Sequence, residues 1–408
     1  MLYVFASFSV TNSVLNVGFH DYKDDRNAFL ASSLGVSTCF TLLLLVLYLC
    51  FRNTFIAIIG LDESYVVLMF LSFVFITTTQ LWINQQRYEY KYKQVFWVTS
   101  ITAIISTVIS LWAVYFTDNN HAGVKLWSSN ILPICVGIYF FVYIVRKGKC
   151  LFKREYWKFI LLFNAPLLLH YLSQFVMDSS DRIMINHYCN ENYVAIYSLA
   201  YSLSNIILIF FYPVNSAIIP HVHKLVDSKD LKSVEKLYVR ILVPIGLLLW
   251  LISLFSPELI AVLGGEKYHE GAYLVPVVLS STIFVMFYQL ISNIEFLYGK
   301  THRVAIMTIT AALLNISLNI IFIPVFGYQA AAYTTLATYM VYSLLHWYNM
   351  SKLCGNKILK IHTTLVVFSI TLLLCMSSTL LFDNITMRFV LAIVALMIAL
   401  RIYKKIKL

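Results

Sequence analysis

Charge is what this chain most conspicuously lacks. Only 12% of its 408 residues are Asp, Glu, Lys or Arg, about half the usual share in a water-soluble domain. With 60% hydrophobic residues and a mean hydropathy of +0.78, a water-soluble core is excluded: too much apolar surface would have to be hidden. The seven cysteines form no Cys-x-x-Cys pair and no Cys/His ligand spacing, which argues against zinc and a disulfide scaffold and makes them small buried hydrophobes. The first residues, MLYVFASFSVTNSVLNVGF, have no basic stretch ahead of the apolar part, so they do not read as a cleavable signal peptide. A nucleophile with its base is missing too, as is the long external loop that a polytopic glycan polymerase needs for chemistry. This weighs against an enzyme.

What the chain has is a series of long apolar runs. FTLLLLVLYLCF at 40–51, ILVPIGLLLWLISLF at 241–255 and TTLVVFSITLLLCMSSTLLF at 363–382 are examples. Thirteen transmembrane spans are expected, near 2–19, 29–51, 64–84, 95–117, 125–145, 159–178, 194–217, 239–256, 272–296, 304–325, 329–348, 362–382 and 387–402. Each approaches the ~20 residues that cross a bilayer core, and there the backbone must be helical because lipid offers no hydrogen bonds. The fold class is therefore all-α, a polytopic integral membrane protein.

The net charge of +11 reports topology rather than nucleic acid. Of the 30 Lys and Arg residues, 25 fall in alternate loops, and only Arg52, Lys125, Arg182, Lys267 and Arg388 fall in the others. Basic residues collect on the cytoplasmic side, so this split puts RKGKCLFKREYWK and the C-terminal tail in the cytoplasm of a plasma (inner) membrane protein. An odd number of spans then leaves Met1 outside, and one further helix is expected upstream.

An internal repeat agrees with that expectation. YEYKYKQVFWVTSITAIISTVIS from Tyr88 resembles YGKTHRVAIMTITAALLNISLNI from Tyr298, and the segments around them match in order. The expected organisation is an N-terminal lobe at 1–145 with five helices, the first of six lying before Met1. A six-helix lobe at 146–350 and a C-terminal helix pair at 351–408 follow. Two lobes of the same orientation imply a pseudo-twofold axis along the membrane normal with a site between them.

DRIMINHYCNENYVAIYSLAYSLSNI, followed by YGKTHRVAIMTITAALLNISLNIIFIPVFGYQAAAYTTLATY, resembles the Wzx-type O-antigen flippases. These are polysaccharide transporters of the multidrug/oligosaccharidyl-lipid/polysaccharide exporter superfamily. DYKDD at 21–25 fits the same family, and the resemblance covers nearly the whole chain. It implies fourteen helices in two lobes. It also implies movement of undecaprenyl-pyrophosphate-linked oligosaccharide, such as an O-antigen unit of lipopolysaccharide, from the cytoplasmic to the periplasmic leaflet. No cofactor is implied; an H+ or Na+ gradient would drive transport. The partners would be the lipid-linked glycan, membrane lipids, and a polysaccharide polymerase with its chain-length regulator. A multidrug cation antiporter and a peptidoglycan-precursor flippase of the same superfamily are the alternatives, and a structural scaffold is a further one.

Moving a hydrated glycan and an anionic pyrophosphate through hydrocarbon requires a polar, preferably cationic path, because desolvation is so costly. Arg182 is the first candidate, at an external helix end where positive charge is scarce; its planar fork suits phosphate. Alternatively, Asp178, Asp181 and Arg182 form a local ion pair that closes a loop. Lys125 is a second cation, for phosphate or glycan, or else a solvated helix end. His170 and Gln174 share a face in mid-span with Asn164 nearby, and either line a pore or bond between helices. Asn205 and Asn215, and Asn315 and Asn319, suit glycan hydroxyls or interhelical bonds. Glu295 is the candidate for a coupling ion, or else pairs with Lys300 or Arg303. HVHKLVDSKDLKSVEKLY at 221–238 reads as an amphipathic surface helix, with His221 and His223 on the surface.

Overall fold

A computed structural model describes residues 2–53, 62–117, 120–355 and 361–407. These residues are helical with no strand, and the helices fall into two compact units, Met1–Leu172 and Ser173–Leu408. Nine of the described helices are long and apolar enough to cross a membrane. The chain is a multi-pass membrane protein.

The first unit holds α1 (Leu2–Ala6), α2 (Ser13–Asp21), α3 (Arg26–Cys50), α4 (Glu63–Tyr88), α5 (Tyr92–Tyr115), α6 (His121–Gly148) and the first half of α7 (Arg154–Tyr188). The span expected at 2–19 is not one helix. Ser7, Ser9, Thr11 and Asn12 interrupt it, and Phe8 and Ser9 take left-handed backbone with φ of 47° and 52°. Short polar side chains compete with the helical ladder for backbone partners, which favours turns. Neighbouring helices satisfy the freed carbonyls. Asn164 donates to the Phe8 carbonyl at 2.9 Å, Thr41 to that of Ala6 at 3.0 Å, and Asn84 to that of Thr11 at 2.5 Å. In a membrane such a break persists only where protein supplies those bonds.

Helix α6 lies close against α4. A β-carbon at Gly137 would collide with the Phe75 carbonyl oxygen, and a backbone carbonyl cannot swing aside. Gly137→Ala should therefore lower the stability of this unit by about 1–3 kcal/mol through overpacking. Thermal unfolding in detergent checks this; an unchanged midpoint would refute the close approach. By contrast, α5 is largely exposed along its length, with Trp97, Ile104, Leu111 and Trp112 on its open surface, as suits a lipid-facing helix.

Asp25, in the turn between α2 and α3, accepts a hydrogen bond from the Tyr156 hydroxyl at 2.6 Å and one from Lys153 at 2.9 Å. Those two bonds, Tyr156 first, hold its carboxyl below the usual range. A depressed pKa in the folded state means the tie stabilises above the unfolded value, about 3.9, and fades as pH falls through the lower folded value. Hydrogen exchange at residues 22–28 should accordingly quicken only in strong acid, and faster exchange already at neutral pH in Tyr156→Phe would accompany loss of the tie.

The second unit contains the rest of α7, then α8 (Glu191–Asp227), α9 (Leu231–Leu254), α10 (Ser256–Gly264), a 3-10 turn (Glu266–Tyr273) and α11 (Val275–Leu297). It continues with α12 (Thr301–Phe326), α13 (Ala330–Leu353), α14 (Ile361–Ser377) and α15 (Ile385–Lys407). Helix α11 is the axis: 94% of its apolar window is buried, with α8, α9, α12, α13 and α14 packed around it. The last helix is tied in by Arg388, which donates to Glu258 at 2.7 Å and to the Leu254 carbonyl at 3.0 Å.

The surface helix expected at 221–238 does not exist as one element. Its first half ends α8 and its second half begins α9, with the turn at 228–230 between them. Asp230 caps α9 by accepting from the Ser233 amide at 3.2 Å, which is the stop signal the amphipathic pattern hid. The apolar face of Val222, Val226, Val234 and Tyr238 packs into the unit, and His223 is buried with it rather than on the surface.

Candidate functional site

Helix α7 continues without a break through 173–188, so Asp178, Asp181 and Arg182 stand on helix and close no loop. Their spacing sends them in different directions. Asp181 points into the second unit and is 2% exposed; Arg182 and Asp178 face outward from it.

Asp181 is the centre of a buried polar network in which no Lys, Arg or His takes part among the described residues. One carboxylate oxygen accepts from the Tyr197 hydroxyl at 2.5 Å and from Thr335 at 2.7 Å, and the other from the Asn319 amide at 2.6 Å. The bonds around these partners are equally complete. Asn319 also donates to Asn315 at 3.2 Å, Ser180 donates to Asn315 at 2.9 Å, and Thr334 donates to the Asn319 amide oxygen. Four helices, α7, α8, α12 and α13, thus converge on one carboxylate. A buried charge that accepts three hydrogen bonds is tolerable where an unpaired one is not. The oxygens of Asp181, Asn315, Asn319 and Thr335 are also hard donors, the chemistry that a proton or an alkali cation takes, hard cations being oxygen-seeking. Among the described residues there is no His, Cys, Asp and Glu cluster of the kind that holds a transition metal.

Arg182 has a different environment. Its Nε donates to Ser198 at 3.1 Å and one terminal nitrogen to the Asp178 carbonyl at 2.5 Å, with the guanidinium 5.5 Å from the Tyr201 ring centroid. The expected Asp181–Arg182 pair is absent: among the described residues neither carboxylate forms an ion pair with Arg182. Asp178 accepts instead from the Tyr339 hydroxyl at 3.4 Å. The guanidinium is thus held by a hydroxyl and a carbonyl and keeps part of its donor capacity for something else.

The remaining candidates scatter. Lys125 and Asn205 are exposed. His170 is buried in the first unit, and Gln174 in the second bonds to the Tyr288 hydroxyl. Asn215 accepts from Asn293 at 2.8 Å, an interhelical bond. Glu295 reaches neither Lys300 nor Arg303. It is fully buried, bonded through one oxygen to His346 Nδ1 and through the other to the Asn349 amide at 2.6 Å. Tyr197, Thr335, His346 and Asn349 did not stand out in the sequence, because no spacing along the chain ties them to the acidic residues they meet, although the last three share α13. The only available signal was the threonine pair in AAAYTTLATY.

Comparison with known proteins accords with this architecture. The family model described as "Polysaccharide biosynthesis protein" matches residues 18–226, just over half of the chain, and the MatE model matches 166–321. The chain belongs to the polysaccharide biosynthesis protein family. It is 27% identical over 254 residues to Lsg locus protein 1 of Haemophilus influenzae, covering 58% of this chain and 61% of that protein. It is 23% identical over 206 residues to the Haloferax volcanii protein named "Probable low-salt glycan biosynthesis flippase Agl15", covering 48% of this chain and 44% of that one. The chain thus spans about half of the length of the curated relatives it matches. A crystal structure of a MATE mutant superimposes with a TM-score of 0.72 at 13% identity, covering 87% of this chain and 85% of the other, so the fold is that of the MATE-like transporters.

Proposed function

We propose that this protein is a flippase that carries undecaprenyl-pyrophosphate-linked oligosaccharide from the cytoplasmic leaflet to the opposite face of the plasma membrane by alternating access. The lipid tail stays in the bilayer while the headgroup crosses through a polar path. Arg182 meets the pyrophosphate: its guanidinium is half-buried, is held by a hydroxyl and a carbonyl, and has no carboxylate partner among the described residues. That guanidinium, with no carboxylate in ion-pair contact among the described residues, in a member of a polysaccharide biosynthesis family, is the observation that carries the reading. A gradient of H+ or Na+ drives the cycle. A polymerase with its chain-length regulator would take the glycan onward.

The second reading is a multidrug antiporter, favoured by the MatE match over 166–321. The two differ in the sign of their cargo. Purified protein in proteoliposomes should translocate a fluorescent undecaprenyl-pyrophosphate-linked oligosaccharide and leave the cationic dye ethidium where it is. Transport of ethidium without the glycolipid would reverse the assignment.

A further inference from the structure

The pair Glu295 and His346 lies about three turns along α13 from Thr335, well clear of the Asp181 network. Both side chains are fully buried, one from α11 and one from α13. A carboxylate oxygen and an imidazole nitrogen in contact must have one proton between them, or two lone pairs would face each other. The other carboxylate oxygen is taken by Asn349 at 2.6 Å, and Asn349 in turn accepts from Arg303 at 3.4 Å. The remaining ring nitrogen, His346 Nε2, is buried and has no hydrogen-bond partner among the described residues.

That orphan atom is the informative one. A buried polar atom without a partner is costly, and most native ones have a reason. With the first proton in the Glu295–His346 contact, Nε2 offers a free lone pair. One more proton turns the pair from a net charge of −1 to neutral, with the imidazolium held against its own carboxylate. We propose that Glu295 and His346 form a proton-binding site, at the end of the second unit that bears Lys300, Arg303 and Lys352, and that loading and unloading it is coupled to the transport cycle. The coupling rests on the flippase reading above; the binding of the proton does not.

The surroundings suit a site that holds one exchangeable proton. The Tyr342 ring meets His346 edge-on at 4.5 Å between centroids, and the Tyr288 ring lies at 5.5 Å. Both phenols are spoken for: Tyr342 shares a hydrogen bond with Thr308 at 2.8 Å, and Tyr288 with Gln174. Arg303 from α12 is the cation closest in the chain of bonds, one amide removed from Glu295. Cys354, beyond α13, feels the charge of Glu295 from a distance and is bonded to Tyr298, so it brings no charge to the pair. On the α9 side, Tyr238 donates to the Leu290 carbonyl at 2.6 Å, so it brings no charge to the pair. No second buried carboxylate bonds to the pair among the described residues, so its state is set by Glu295 and by the distant Arg303.

The test uses the full chain with nitrogen-15 histidine in phospholipid nanodiscs, titrated by NMR. The resonance missing from His346→Asn, and equally from His346→Gln should the first variant not fold, identifies His346 among the ten histidines. It should pass from neutral to cationic as the pH is lowered, and Glu295→Gln should weaken its proton affinity at least about tenfold by removing the counter-charge. A resonance that keeps one protonation state throughout, or titrates identically in Glu295→Gln, overturns the proposal. In proteoliposomes an imposed pH gradient should accelerate glycolipid translocation by the native protein and not by Glu295→Gln. Equal acceleration of both would remove the coupling while leaving the flippase reading intact. If the native protein moved no glycolipid at all, the flippase reading would fall, and the histidine titration would still decide whether the proton site exists.

Discussion

Replacing Asp181 by alanine should destabilise the second unit by about 3 kcal/mol. The carboxylate is the common acceptor for Tyr197, Thr335 and Asn319, all of them buried. Without it the Tyr197 hydroxyl has only the Thr335 hydroxyl beside it, which has lost the same acceptor. An orphaned buried donor costs roughly 1–3 kcal/mol. Asn319 can fall back on the Asn315 amide oxygen, so the losses do not add in full. The cost of burying a lone carboxylate is relieved at the same time, which offsets part of the loss. Asp181→Asn should be milder than alanine. Its amide oxygen still accepts from Asn319, and the hydroxyls of Tyr197 and Thr335 can rotate to accept from its NH2 group. Thermal unfolding in detergent ranks the three proteins; an alanine variant as stable as the native chain would show that the network is not what joins α7, α8, α12 and α13.

Removing Arg182 should act on transport and hardly at all on folding. In Arg182→Ala, glycolipid translocation should fall by at least about tenfold. A charge-assisted hydrogen bond contributes about 1.5–3 kcal/mol, and about 1.4 kcal/mol is a factor of ten. Arg182→Lys should recover only part of the rate, because an ammonium keeps the charge but not the two-pronged geometry that fits a pyrophosphate oxygen pair. The stability change should stay within about 1 kcal/mol, since the lost partners are one hydroxyl, one carbonyl and a ring at the edge of the unit. Initial rates in proteoliposomes, alongside unfolding of the same preparations, separate the two effects. Native rates in the alanine variant would take this guanidinium out of the transport path.

The two residues are adjacent in sequence, and in that fact lies the difference between reading a chain and seeing it folded. DSSDRI is a cluster of charge between apolar runs, and a local ion pair is its simplest interpretation. One residue step on a helix is a rotation of about 100°, which turns Asp181 into the unit and Arg182 out of it. The partners that then satisfy Asp181 are 16, 138 and 154 residues away, and no spacing rule in the chain points to them. The asparagine pair Asn315 and Asn319 was visible as an i, i+4 stripe; that it faces Asp181 was not. Glu295 was visible as a rare buried acid, whereas the lone His346 that completes it gave no signal.

The sequence by itself determined the solvent and the all-helical class, because hydropathy and backbone hydrogen bonding leave a lipid-embedded segment no alternative to the helix. It failed at the broken segment 7–12, where carbonyls are satisfied by Asn84 and Asn164 from other helices, which local reasoning cannot know, and at 221–238, which the turn at 228–230 divides between two helices. Only the tertiary structure decided which polar residues meet. In a chain this apolar, packing and a few buried bonds select the neighbours of each helix, and those depend on which faces turn toward one another rather than on what lies next along the chain.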